Sequence, residues 1–506
     1  MQILLGIDCG STMCKAALYD TAGNEIAVAG RKQQVSSPGP GWRELDPDTV
    51  WSAASGAVRE VLAHSQIDPG DIIGVGVTGY GNGVFMLDQG GAPVRPAFQS
   101  SDGRAVALLQ EWNESGLPAK VSPLCFQTLF PGEMAVCLAW TKANEPEAYA
   151  RIAHITPIKN NVSYLLTGVF ASDVSDMSGT GLLDKDWQYR QELFDLFGIP
   201  EIWPAVPPLR PSHEVIGHVT PQAAQATGLR AGTPVVTGLH DMSACAFASG
   251  ALHERDLVVL VGTLALNEMV VSKPPASSQI LGYAVNNLYF YTTAGGGSSA
   301  LNLEWFVTTC CGEERAAAKE RGISVYELCN EMVESVPPRG LAVLYHPYLL
   351  SRRILPNSMA GFYGITSTTT KAELLRALYE GVAFTHLDSV GQYATAGIQP
   401  RQVYLAGGGA RSRVWSQIFA DAFALPLTVA RGTELGAHGA ALCAGIGAGI
   451  YADYADAVCQ AVVVERHHQP EPAASAVYQE RFAQFKALNQ AMLEPWRGIA
   501  QLSTRR

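Results

Sequence analysis

Glycine-bearing turns and a few acids are the residues here that could act on a phosphate or a hydroxyl. Asp8-Cys9-Gly10-Ser11-Thr12 is a turn between two apolar runs, Ile3–Ile7 and Lys15–Tyr19. Such a turn exposes backbone N–H groups that can bind phosphate oxygens. Alone it reads equally well as an ordinary hairpin. The second half of the chain carries an equivalent, Gly262-Thr263, between Asp256–Val261 and Leu264–Val271. Two such turns, facing each other, could hold a polyphosphate from both sides. Asp8 then has a reason to stand beside an anion, since it would orient Mg²⁺ directly or through water. Lys15 could counter phosphate charge or simply be solvated. Gly407-Gly408-Gly409 follows the apolar run Gln402–Ala406 and precedes a helical pattern over Arg413–Phe423. Missing side chains there let a ligand lie against the backbone at a helix N-terminus.

Asp241 follows the apolar strand end Val235–Gly238 and precedes a small-residue helical stretch. It is either an N-cap or a general base at the carboxyl end of a strand, where α/β sites gather. Its neighbour His240 is a ligand or a lining residue. Asp102 and Arg104, in Ser100-Ser101-Asp102-Gly103-Arg104-Ala105, could bind hydroxyls and a charge or form a plain salt bridge. Gly79-x-Gly81-x-Gly83 lacks the dinucleotide spacing, and no G-x-x-x-x-G-K-[ST] occurs.

The elements that must position these residues alternate between strand and helix, which makes the chain α/β. A β-meander opens it. Asp46–His64 reads as a helix, with Asp46 as N-cap and Pro47 in the first turn. Each half starts with a hairpin whose turn carries Gly and hydroxyl residues, a duplication of pattern that divides the chain into 1–252 and 253–506. Leu435–Ala452 is mostly Ala and Gly, too weakly hydrophobic for a membrane span, and suits a closely packed buried helix. The tail beyond Pro470 reads as an amphipathic packing helix.

Composition narrows the classes. Hydrophobic residues make up 47% and charged residues 16%, which excludes a disordered chain. Lys+Arg 35 against Asp+Glu 46 leaves a net charge of −11, a poor balance for binding nucleic acid non-specifically. The ten cysteines include no Cys-x-x-Cys and no zinc spacing, as in a reducing cytoplasm. No signal peptide is expected from the start Met1–Asp8.

In this order the pieces resemble the FGGY family of carbohydrate kinases, from Leu4 to about Ile450. The resemblance rests on Ile7–Thr12, Asp102-Gly103-Arg104-Ala105, Lys159–Gly168, and Gly361–Ile365 followed by Glu373–Glu380. It also rests on Gly262-Thr263 and on Gly407–Ala410 with Ser412, Trp415 and Gln417. It implies two actin-like (ribonuclease H-like) domains of the sugar kinase/Hsp70/actin fold around a cleft. The first would be mainly sugar-binding and the second mainly ATP-binding. It implies ATP and Mg²⁺, with Asp241 as the base and Asp8 toward the metal. Gly10, Ser11, Thr12, Lys15, Gly262, Thr263, Gly408, Gly409 and Ser412 would serve the nucleotide. Asn82, Asp102, Arg104 and His240 would serve the sugar. Where xylulokinases carry Gln-Met-His-Gly this chain has Tyr80-Gly81-Asn82-Gly83, and Met242 follows Asp241 where relatives have Asn or Gln. Neither D-xylulose nor glycerol suits these changes. The chain looks most like the L-xylulose/3-keto-L-gulonate kinase branch. Another ketose or polyol (D-xylulose, ribulose, erythritol or glycerol) is the alternative. A nucleotide-driven switch of the same fold and an idle sugar-binding protein are the rivals. The expected partners are a small-molecule sugar and ATP, with no nucleic acid and no membrane, in a monomer or homodimer.

Overall fold

Ile3–Cys9 pairs antiparallel with Met13–Asp20, which pairs antiparallel with Glu25–Lys32. On its other edge Ile3–Cys9 runs parallel to Ile72–Gly79. That strand takes Pro234–Val236 and Leu239–His240 in parallel, and Val215–His218 adds antiparallel to Pro234–Val236. The meander expected at the N-terminus is therefore one side of a seven-stranded mixed sheet. The structure is a computed structural model, and it describes residues 1–506 except 126, 273–283, 286–287, 293–296, 351–354, 396 and 504–506.

Helices cover both faces of this sheet. Pro47–Ser65 begins as its sequence dictates, with the Asp46 side chain accepting from the Asp48 amide and Pro47 in the first turn. Its buried positions Val50, Ala54, Ala57, Val58 and Val61 pack on Met13–Asp20 and Glu25–Lys32. On the opposite face lies Leu435–Gly447, the expected small-residue helix, against Ile3–Cys9 and Ile72–Gly79. Glycines permit this contact. A Cβ on Gly6 would fall 1.8 Å from the Ala437 carbonyl oxygen, and one on Gly76 would fall 1.9 Å from that of Ala440. The helix gains its burial by backbone proximity, which is why its modest hydrophobicity suffices.

The chain folds as two compact units, and their bounds depart from a single cut at residue 253. The first unit comprises Met1–Leu252, Val271–Tyr291 and Gly432–Val463, and the second His253–Val270, Thr292–Arg431 and Val464–Arg506. The helix Leu435–Gly447 thus returns to the N-terminal sheet. Sequence order hides this, because the contact is between residues far apart in the chain.

In the second unit Asp256–Val261 pairs antiparallel with Ala265–Val271 and parallel with Gln402–Ala406. Leu427–Ala430 continues in parallel, and Val464–His468 closes antiparallel. The C-terminal helix Pro472–Ser503 packs on Lys371–Thr395. Glu380, fully buried there, is held by Arg376 at 2.9 Å and Arg481 at 2.8 Å. Among the described residues no helix is long and apolar enough to cross a membrane.

Candidate active site

The first turn is built to present its tip. The Gly10 carbonyl accepts from Gln33 Nε2 at 2.7 Å, that of Ser11 from Gln99 Nε2 at 2.6 Å, and that of Thr12 from the Gln33 amide at 2.8 Å. With the carbonyls turned into the protein, the peptide dipoles point outward at Ser11 and Thr12, both exposed. That is the polarity an anion needs.

Asp8 is the penultimate residue of the strand behind this turn, paired in register with Lys15 and Thr78. Burial pushes its carboxyl up to about 6; Lys15 pulls it down and Glu434 pushes it further up. Its Oδ1 is buried without a hydrogen-bond partner. Its Oδ2 occupies the space beside Gly436, where a Cβ would come within 2.6 Å. Lys15 Nζ stands 2.7 Å from Glu434 Oε2, so the cation expected to meet phosphate already has a carboxylate partner.

The strand end that delivers Asp241 is fixed by its neighbours. Gly238 adopts φ 76°, and a Cβ there would fall 1.9 Å from the Val77 carbonyl oxygen. Thr78 Oγ1 donates to the Leu239 carbonyl at 2.7 Å. The helix Asp241–Ser249 follows at once. Its N-cap is His240, whose Nδ1 accepts the Met242 amide at 3.2 Å. Asp241 is therefore the first helical residue and not the cap. Its side chain keeps 31% of its surface accessible. The surrounding protein drives its pKa well above the carboxylate range, chiefly by desolvation and then by the charge of Asp8, with Asp176 adding to it and the Met242 amide opposing. His240 is buried and held neutral, its pKa lowered to about 3 by desolvation. The imidazole packs on Gly81, where a Cβ would fall 2.3 Å from Nε2. His240 thus serves the backbone first, as the cap of the helix that carries Asp241.

Behind His240 lies a buried group that sequence reasoning did not single out. Lys159 Nζ is 2.9 Å from Asp173 Oδ1 and 3.7 Å from Asp176 Oδ2, and all three side chains are 0% exposed. Asp173 also accepts from Ser212 Oγ at 2.7 Å and from the Ser175 amide. Ser175 Oγ accepts the His240 amide at 2.9 Å. Asp176 has no hydrogen-bond partner on either oxygen, and desolvation raises it to about 7. The quoted stretch Lys159–Gly168 was the available signal for Lys159. Nothing local distinguishes Asp176 from an ordinary acid in a Ser/Asp-rich segment.

Asn82 sits in a left-handed turn at φ 66°, buried, with Oδ1 accepting the Met134 amide at 3.4 Å. Asp102 and Arg104, expected to serve the sugar, are joined to each other. Asp102 accepts from the Arg43 amide at 2.6 Å and from Arg104 through its amide, Nε and Nη2 at 2.8–2.9 Å. The Arg104 guanidinium, 1% exposed, also meets Glu44 at 2.8 Å and lies 3.9 Å over the Trp42 ring. Both residues are engaged with each other and with this packing. A bare pair two residues apart carries no mark of such burial.

In the second unit the Gly262-Thr263 turn repeats the design of the first. The Gly262 carbonyl accepts the Ala300 amide at 2.7 Å and that of Thr263 the Ser299 amide at 3.0 Å, while Thr263 is exposed. Gly407 has φ 87°, and Gly409 lies so close to Val261 that a Cβ would fall 2.3 Å from its Cγ1. Gly408 faces open space, with nothing within 4 Å of a Cβ. Ser412, expected to serve the nucleotide, stands at the start of the helix that follows this turn. Its hydroxyl caps the helix Arg413–Phe423 by accepting the Trp415 amide at 3.1 Å and donates to Asn330 Oδ1 at 2.7 Å. It holds the glycine turn against the helix and has no spare donor.

Residues 3–248 match the N-terminal domain and residues 257–448 the C-terminal domain of the FGGY family of carbohydrate kinases. The chain belongs to that family. It is a carbohydrate kinase, and its phosphoryl donor is ATP. The kinase is 34% identical over 495 residues to the L-xylulose/3-keto-L-gulonate kinase of Escherichia coli, covering 97% of each chain. It is 30% identical to the autoinducer-2 kinase of the same species, covering 97% of this chain and 94% of the other. The crystal structure of a xylulose kinase from Rhodospirillum rubrum superposes with a TM-score of 0.84 at 28% identity, covering 98% of this chain and 100% of that one.

Proposed function

We propose that this kinase phosphorylates a five-carbon ketose such as L-xylulose, or the related 3-keto-L-gulonate, with Asp241 taking the proton of the attacking hydroxyl. Similarity along nearly the whole chain to a kinase named for those two sugars supports the substrate class. The observation that carries the role of Asp241 is its place at the strand end. It is a partly accessible carboxylate released from capping by His240. The protein raises its proton affinity, which suits a base that must take a proton from an alcohol as the phosphoryl group transfers.

The exposed turns Gly10–Thr12 and Gly262–Thr263 would bind phosphate oxygens through backbone amides, and Gly408 and Gly409 would lie against the nucleoside. Such preorganised dipoles stabilise charge that develops on the transferring group. Among the described residues no group of three or more His, Cys, Asp or Glu side chains forms a ready cation site. Asp8, with a buried and unpartnered Oδ1, fits a role in holding Mg²⁺, directly or through water. Bound Mg²⁺ would supply positive charge against the triphosphate. The free cysteines are compatible with a reducing compartment.

The test is ADP formation from ATP and Mg²⁺ with a panel of ketoses, ketonic acids and polyols. The proposal expects L-xylulose or 3-keto-L-gulonate to give the highest kcat/KM. A higher value for D-xylulose, glycerol or autoinducer-2 would overturn the substrate assignment.

A further inference from the structure

The L-xylulose/3-keto-L-gulonate relative is named for two sugars that differ in charge, one neutral and one a carboxylate. A protein that binds an anionic sugar tightly needs a cation to pair with it. The cations of the candidate site in the first unit are already committed. Lys15 meets Glu434 at 2.7 Å, Lys159 meets Asp173 at 2.9 Å, and Arg104 meets Asp102 and Glu44 at 2.8 Å.

One acid is in the opposite condition. Asp176, on the helical turn Val174–Met177, is 0% exposed, and neither oxygen has a hydrogen-bond partner. Its nearest cation is Lys159 at 3.7 Å, which Asp173 and Asn160 hold more closely at 2.9 and 2.8 Å. Its Oδ1 lies 3.6 Å from the point a Gly81 Cβ would occupy, and His240 Nε2 lies 2.3 Å from the same point. Asp176 therefore stands behind the Gly81–His240 wall, next to the residue that caps the Asp241 helix. It raises the proton affinity of Asp241. The other charged groups packed here, Lys159 with Asp173 and Lys15 with Glu434, are balanced pairs. His240 is held neutral.

We propose that Asp176, acting from behind Gly81 and His240, is a specificity-determining positioning residue that makes the Asp241 recess select a neutral ketose over one carrying a carboxylate. The inference rests on the reading of this chain as a ketose kinase. An added negative charge would enter a region of low dielectric beside Asp176, whose cation Lys159, at 3.7 Å, is held more closely by Asp173, and like charges repel strongly there. A neutral sugar meets no such opposition.

The test compares kcat/KM for L-xylulose and 3-keto-L-gulonate in the wild type and in Asp176→Asn. The wild type is expected to favour L-xylulose at least tenfold. Asp176→Asn should narrow that preference about tenfold, through a lower KM for the acid, while kcat on L-xylulose stays within a few-fold. It should also move the acidic limb of the kcat profile to lower pH, which a packing defect would not do. Equal or better use of the acid by the wild type overturns the inference and leaves the ketose kinase standing. An unchanged ratio in the variant overturns the role of Asp176. Turnover of neither sugar overturns both readings. If Asp176→Asn does not fold, Asp176→Ser and wild-type inhibition by a pentitol against the matching pentonate give the same decision. Tighter binding of the pentonate counts against the inference.

Discussion

His240 Nδ1 accepts the Met242 amide at 3.2 Å, and this single bond separates two roles that Asp241 could otherwise share. A carboxylate at an N-cap is common and chemically idle. Here the imidazole occupies the N-cap, and the carboxylate one residue on, although it also draws on the Met242 amide, is the first helical residue.

Asp241→Asn should accordingly leave the thermal midpoint unchanged or raised, because it removes an acid that burial and Asp8 disfavour in its charged form. On the best substrate kcat should fall about 10²–10⁴-fold, the usual worth of a general base. KM for ATP should change little. Steady-state kinetics beside a melting curve checks all three, and near wild-type turnover would remove Asp241 from the mechanism.

The pH profile follows from the same environment. Asp241 must be ionised to accept a proton, and its pKa lies well above the carboxylate range. The rate should therefore rise with pH through that ionisation. In Asp8→Asn a neighbouring negative charge is gone, so the residual activity should rise at lower pH than in the wild type. A limb that stays in place would show that Asp8 does not act on Asp241.

Asp176 makes a prediction about stability. Burial pushes its carboxyl up to about 7, above the ordinary value of about 4 for an exposed aspartate. The folded state then binds the proton more tightly than the unfolded one, so stability is lost as pH rises from about 4 to about 7. Asp176→Asn abolishes that loss. Relative to the wild type, its thermal midpoint should be higher at pH 8 than at pH 5. The opposite trend would mean that Lys159 holds Asp176 ionised.

Arg104→Lys tests whether the Asp102 pair is structural. Lysine keeps the charge but loses the planar stack on Trp42 and the fork to Asp102 and Glu44. The variant should melt several degrees lower while KM for the sugar moves less than about threefold. A large KM change with unaltered melting would restore Arg104 to the binding site.

The opening hairpins and the helix Arg413–Phe423 were legible in the sequence, because apolar runs broken by Gly-bearing turns are local signals; that Ser412 caps the helix was not. The general location of Asp241 was legible for the same reason. Whether it capped its helix was not, since that depended on which neighbouring side chain reached the Met242 amide. Asp102 and Arg104 looked available because nothing in two residues reveals the Trp42 ring or Glu44, which reach them from another loop. Asp176 went unnoticed because its isolation from partners is a property of the fold around it.

Gly76→Ala would drive a methyl group into the Ala440 carbonyl at 1.9 Å. Overpacking usually costs about 1–3 kcal/mol, and a backbone clash this close should reach the upper end or beyond. Reduced soluble yield and a melting midpoint lowered by several degrees are expected, with Gly6→Ala behaving alike through Ala437.

That glycine-lined contact also sets a schedule for biosynthesis. The N-terminal sheet leaves the ribosome early, but the helix that covers one of its faces, Leu435–Gly447, lies near the other end of the message. At about 5–20 residues per second the nascent sheet waits on the order of tens of seconds with that face bare. A ribosome stalled before Gly432 would release a chain whose first unit has no means of completing itself. Such fragments should be the ones that chaperones hold and proteases clear.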